Sequence, residues 1–312
     1  MEKKIPVIID CDPGIDDSLA LVVAFSLPEL DVKAVTTVAG NVSIENVTNS
    51  ARAVLGTIGV KSKIYKGAAG PLMALDVIDA ATVHGATGLG GYSLAEEHWH
   101  PLEEMSALDG QRKILEESEE PVTIIAVGPL TNIAILLKAY PELKSKIKKF
   151  SIMGGGLYTG NHTPAAEFNI LADPEAAHIV YSSGIPIIMA GLDVTHKARL
   201  YEKDLEEISG INNPAAKMMH KVIGFNLQAA KQYYDFVCMH DVCSVLVLLY
   251  PDMFKGEDLN VVVETTGRYT RGYTMADLRL RRRSKETNCH VLLDIDGERF
   301  LNEVLKAIKS YS

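Results

Sequence analysis

Short, continuous apolar runs alternate with longer stretches of helical spacing along almost the whole chain. The first run, Ile5 to Cys11, ends in carboxylates and a Pro13-Gly14 turn, after which a second apolar segment begins. This reads as strand, turn and helix, the helix covering 15–26. Further strands are expected over 32–38, 63–65, 122–126, 150–153 and 187–190. Helices are expected over 44–58 and 110–118, after Gly128-Pro129, over 174–183, and through a largely helical region from 203 to 250. The tail over 260–312 reads as two antiparallel strands, a basic loop and a closing helix.

Such alternation predicts an α/β fold: a single domain over 1–312 with a mainly parallel central sheet flanked by helices and a small antiparallel C-terminal addition. Ligands of such sheets bind outside the carboxyl ends of the strands, where Asp12, Asn41, Val127 and the Gly154-Gly155-Gly156 loop all fall. One stretch breaks the pattern. Residues 67–92 are glycine-rich and weakly periodic, and their glycines suit a lid that moves over a ligand.

Composition narrows the partners. A hydrophobic content of 47% supports a sizeable core, and a formal net charge of -9 argues against a nucleic-acid binder. The basic run 279–285 reads as a solvated loop. Four cysteines without a C-x-x-C spacing fit a reducing cytosol, and no run is long and apolar enough for a leader or a membrane span. A soluble, cytoplasmic protein acting on a small molecule is expected.

The candidate chemistry lies in the first turn. Asp10 and Asp12 stand two apart near the strand end and share a face, while Asp16 and Asp17 open the helix. Crowded carboxylates resist joint ionisation, and a helix N-terminus offsets only about 0.3–1 kcal/mol per acid. A hard cation is the stronger remedy, and oxygen-only ligands suit Ca²⁺ or Mg²⁺ rather than zinc. A capped helix with solvated acids is the alternative. His240-Asp241, just before another apolar helix, offers one more carboxylate.

The chain resembles the inosine-uridine-type nucleoside hydrolases, whose hallmark D-x-D-x-x-x-D-D stands here as Asp10-Cys11-Asp12-Pro13-Gly14-Ile15-Asp16-Asp17. Matching segments follow in order: 37–41, 83–85, 128–134, 153–156, 166–170 and 239–241. The resemblance implies Ca²⁺ held by Asp12, Asp17, the carbonyl of Val127 and Asp241, with Asp10 a supporting acid behind them. It implies Asp12 as general base and His240 as the acid that protonates the departing base. Asp16, Asn161, Glu167 and Asn169, with Asn41 close by, look like the ribose clamp. His84, Met153 and Tyr234 fall on the substrate side. The wording of 39–43 and 239–241 is most similar to the broad-specificity ribonucleoside hydrolases, which implies cleavage of purine and pyrimidine ribonucleosides to ribose and free base, in nucleoside salvage. It also implies a homo-oligomer, dimer or tetramer. Residues 225–237 match neither a purine nor a pyrimidine pattern cleanly. Two competitors remain: a catalytically silent nucleoside-binding protein, and a haloacid-dehalogenase-like phosphatase. The latter lacks its expected Thr or Val at Gly14 and leaves Asp241 unexplained.

Overall fold

The computed structural model describes residues 3–73, 78–279 and 285–312. The basic run therefore lies largely outside the described residues. The first unit is β1 (Ile5–Cys11), α1 (Ile15–Ser26), β2 (Leu30–Thr37), α2 (Ile44–Ile58) and β3 (Ile64–Lys66). Next come α3 (Ala81–His84), α4 (Ala107–Glu117), β4 (Val122–Ala126), α5 (Thr131–Ala139), β5 (Ile147–Met153), α6 (Phe168–Ala172), α7 (Pro174–Tyr181) and β6 (Ile187–Ala190). The chain then forms α8 (Leu192–Thr195), β7 (Arg199–Tyr201), α9 (Glu202–Ser209), α10 (Pro214–Ala230), β8 (Phe236–Cys238) and α11 (Val242–Leu246). It closes with β9 (Phe254–Leu259), β10 (Val261–Val263), β11 (Thr274–Ala276), β12 (Cys289–Ile295) and α12 (Gly297–Lys309).

Eight strands make one sheet in the order β3-β2-β1-β4-β5-β6-β12-β9, and every neighbouring pair is parallel except β12 with β9. The alternation of apolar runs thus becomes the expected α/β sheet. The C-terminal segment is more deeply built in than its sequence suggests. Strand β12 pairs parallel with β6 inside the main sheet, and the antiparallel parts are edge strand β9 and the separate β10–β11 and β7–β8 pairs. Nor is the region 203–250 continuously helical: β8 interrupts it, because Phe236–Cys238 finds β7 as an antiparallel partner.

Period-two alternation in β1 feeds both faces of the sheet. Val7, Ile9 and Cys11 join a core cluster with residues of α1, α2, α10 and α12, whereas Ile8 joins the opposite cluster with α4, α5 and α7. Each fully buried aliphatic side chain of this kind contributes about 1.5–3 kcal/mol. Asp10 shares the side of Ile8 and reaches α4 and α5. Because β1 lies between β2 and β4, the chain leaves it in opposite directions, and a crevice opens at the carboxyl ends of β1 and β4. No helix among the described residues is long and apolar enough to cross a membrane.

Candidate active site

The crevice is floored by the turn after β1. Asp17 closes it: Oδ1 accepts from the backbone N–H of Asp12 at 3.1 Å and Oδ2 from Gly14 at 3.0 Å. Asn41 ties in the β2 loop. Its backbone N–H donates to Asp12 Oδ2 at 2.7 Å, and its amide donates to Asp12 O and Asp17 Oδ2, both at 3.0 Å. The Asp12 carboxylate is walled by two glycines. A Cβ on Gly40 would stand 2.2 Å from Oδ2, and one on Gly128 would stand 2.6 Å from Oδ1.

Carboxylates of Asp16, Asp17 and Asp241 bring oxygens within 4.8 Å of one another. Burial drives the Asp12 carboxyl well above the usual range, with the charge of Asp17 adding to it, and does the same for Asp241, with Asp16 and Asp17 adding. Asp17 is raised to about 7 by burial and by Asp16. Such crowding disfavours the ionised set unless a cation joins it.

Behind this floor, Asp10 is held from three elements. Its Oδ1 accepts from the Thr36 hydroxyl, from Asn132 Nδ2 at 2.8 Å and from Gln111 Nε2 at 3.3 Å. Asn132 also donates to Thr37 O and accepts from Ala68 N, so it links Asp10 to the start of the glycine-rich stretch. Like Asp12 and Asp17, Asp10 is absent from the residues that line the cleft.

Above the floor is a pocket of about 480 Å³. Asp16, Asn41, His84, Val127, Met153, Asn161, Glu167, Asn169, Tyr234, His240 and Asp241 all line it, so residues from across the sequence meet in one cleft. Asp12 and Asp17 sit immediately beneath. Glu167 caps α6: Oε1 accepts from Asn169 N at 3.0 Å, and Oε2 from Gly155 N at 2.9 Å and Ile170 N at 3.2 Å. Burial nonetheless lifts its carboxyl to about 7. Asn169 Nδ2 donates to Val127 O at 2.9 Å and Met153 O at 3.2 Å, fixing both carbonyls at the strand ends. Asn161 Oδ1 accepts from Phe168 N at 2.9 Å, which leaves its amide NH₂ for the cleft.

His240 Nδ1 is 2.7 Å from the Thr195 hydroxyl, and burial pushes its imidazole down to about 4 against the pull of Asp16. It rests neutral at pH 7. His84, also pushed down to about 4 by burial, uses Nδ1 to accept from Ile15 N at 3.0 Å.

The far wall holds residues that motif reasoning left unassigned: His196, Arg199, Asn226, Phe236 and Cys238. His196 meets His240 edge-on with ring centroids 5.8 Å apart, and Phe236 lies 5.4 Å from Tyr234. Asn226 and Phe236 fall within 225–237, whose place beside the site is visible in the sequence. Nothing in the sequence signals His196 or Arg199, because the turn between α8 and β7 brings them in.

The floor fits a hard divalent cation on its own chemistry. Asp12 Oδ1 is buried without a hydrogen-bond partner, the donors are all oxygen, and the nearby carboxyls are crowded.

Fold and cleft together are those of an α/β enzyme that holds a polar small molecule against an acidic floor. Its particular family is the inosine-uridine preferring nucleoside hydrolases, to which the chain belongs, the family's sequence profile matching residues 7–302. The chain is 43% identical over 312 residues to the pyrimidine-specific ribonucleoside hydrolase RihA of Escherichia coli, covering 99% of each chain. The RihA of Escherichia fergusonii matches equally, 43% over 99% of each. Among solved structures, a purine-preferring ribonucleoside hydrolase from Gardnerella vaginalis superposes with a TM-score of 0.90 at 31% identity, over 97% of this chain and 98% of that one. The plant nucleoside hydrolase PpNRh1 gives 0.88 at 29%, over 98% and 99%. The family resemblance read from the motifs is thereby established, and the phosphatase reading falls away.

Proposed function

We propose that this enzyme hydrolyses the N-glycosidic bond of ribonucleosides to ribose and free base, with a calcium ion on the carboxylate floor. The observation that carries this reading is the convergence of Asp16, Asp17 and Asp241 at the bottom of a cleft otherwise lined by amides, histidines and aromatics. Asp12, Asp17, Asp241 and the Val127 carbonyl would hold the ion, which supplies Lewis acidity and compensates their charge.

The residues then divide the work. Asp12, with one oxygen unsatisfied, takes a proton from water as the water oxygen bonds to the anomeric carbon. The carbon–nitrogen bond breaks and its electron pair leaves on the base, which takes up a proton from solvent water or, for a purine, through His240. Positive charge that grows on the ribose is met by the carboxylates of Asp16 and Glu167, which stabilise the transition state more than the substrate. Asn161 and Asn169 hold the sugar, with Asn41 orienting Asp12 and Asp17. His240, neutral at rest, lines the same cleft and serves a purine as a relay, giving its ring N–H proton to N7 while its other nitrogen is reprotonated through the Thr195 hydroxyl.

Purine and pyrimidine ribonucleosides are both substrates in this reading. The 43% identity to pyrimidine-specific relatives favours pyrimidines as the better ones. The test is release of free ribose from uridine, cytidine and inosine, with calcium and after chelation. No ribose from any of them would defeat the proposal, and undiminished turnover after chelation would remove the ion from it.

A further inference from the structure

The acidic floor takes the sugar in the proposed function, on which this inference rests, so the base must lie against the far wall. Among the described residues that line the cleft, Arg199 alone carries a permanent positive charge. Arg199 stands opposite Cys238 in the β7–β8 pair, and both residues line the cleft. Its guanidinium carbon lies 4.1 Å from the centre of the Phe236 ring, and its Nε–H donates to His196 O at 2.8 Å. Stacking and that single hydrogen bond fix the plane of the fork. Among the described residues no carboxylate or carbonyl takes the two terminal NH₂ groups, so they are free to meet a ligand.

A guanidinium offers only donors. Nucleobases differ at the corresponding edge: uracil and hypoxanthine present a carbonyl oxygen, whereas cytosine and adenine present an exocyclic amine, itself a donor. We propose that Arg199 is a specificity-determining residue that selects ribonucleosides of oxo bases over those of amino bases, in the pyrimidine and the purine series alike. The same contact gains strength during reaction. The electron pair from the broken glycosidic bond spreads through the ring onto the carbonyl oxygens of an oxo base, and a charged donor holds a more negative oxygen more tightly. Two neighbours carry the imprint of this charge: Arg199 reinforces the lowering of His196 that burial begins, and opposes the raising of Cys238.

The test compares kcat/KM for uridine against cytidine and for inosine against adenosine, by ribose release, in the wild type, Arg199→Lys and Arg199→Gln. Arg199 is exposed and forms no ion pair among the described residues, so these substitutions cost the fold only its stacking on Phe236 and its hydrogen bond to His196 O. The wild type is expected to favour the oxo member of each pair by roughly tenfold or more, the weight of one charge-assisted hydrogen bond. Lysine, still a donor only, keeps the direction of both preferences with smaller ratios. Glutamine can turn its amide to accept or donate, and brings both ratios to within about threefold of unity. Equal use of oxo and amino bases by the wild type would overturn the assignment. So would a Gln variant that slows both members of a pair by the same factor. If the wild type frees ribose from none of the four, the hydrolase reading itself has failed and this assignment falls with it.

Discussion

The backbone N–H of Ile15 donates to Nδ1 of His84 at 3.0 Å, so one hydrogen bond joins the first residue of α1 to the short helix inside the glycine-rich stretch. The geometry requires an unprotonated Nδ1, and burial holds His84 at about 4. Gly14 is part of the same contact, since a Cβ there would stand 2.4 Å from that nitrogen.

A pH dependence of stability follows. The folded-state pKa of His84 lies below the ordinary 6.5, so its contribution is unpenalised above about pH 6.5 and declines as pH falls toward 4. Between pH 7 and 4.5 the penalty reaches about 2–3 kcal/mol. Urea unfolding of the wild type and His84→Asn should show the wild type losing that much relative to the variant over this range. A difference between them that does not change with pH would mean that His84 is not held neutral.

Asp241→Asn should have opposite effects with and without metal. It removes one of the crowded charges, so in chelator the variant should melt above the wild type. Calcium at about a hundred times its Kd should then stabilise the wild type by about 2.7 kcal/mol and leave the variant nearly unmoved. Equal calcium shifts in the two melts would take Asp241 out of the ion's shell.

Sugar recognition should be steep. Cleft groups built to bond hydroxyls are left unpaired when one is missing, and such sites reject the deoxy analogue by roughly 10⁴–10⁵. Uridine and 2′-deoxyuridine should differ on that scale in kcat/KM. Comparable values would separate Asp16, Asn161 and Asn169 from the ribose.

His240→Ala should divide substrates by their bases. Positioned acids contribute about 10²–10⁴-fold, and only purines offer N7 to one, so inosine turnover should fall far more than uridine turnover. Losses of equal size, with weaker calcium binding, would instead make His240 a support for the adjacent Asp241.

Much of this site was legible because its residues sit where the strand pattern ends. Asp12 follows β1, Val127 follows β4, and Met153 closes β5, so a correct reading of three strands already puts them at one edge. Asp16 and Asp17 were legible as the first turn of α1. The part of the wall holding Arg199 and Cys238 was not. It is built by two three-residue strands too short to show period-two alternation, β7 and β8, whose pairing across the whole of α9 and α10 leaves no local trace. Buried polar partners were equally silent. Gln111 and Asn132 read as ordinary helix residues, and only packing shows that both aim at Asp10.

The floor draws its carboxylates from opposite ends of the chain, Asp16 and Asp17 from the first helical turn and Asp241 from the approach to α11. Contacts so remote in sequence carry a large loop-closure cost before they repay it. A chain still emerging from synthesis therefore carries its first two acids long before the third exists. An ion held, as proposed, by Asp17 and Asp241 together would stabilise only molecules that have closed end to end, and would withhold that stabilisation from truncated or half-folded chains. With calcium bound as proposed, its protection from proteolysis would be a readout of completed folding.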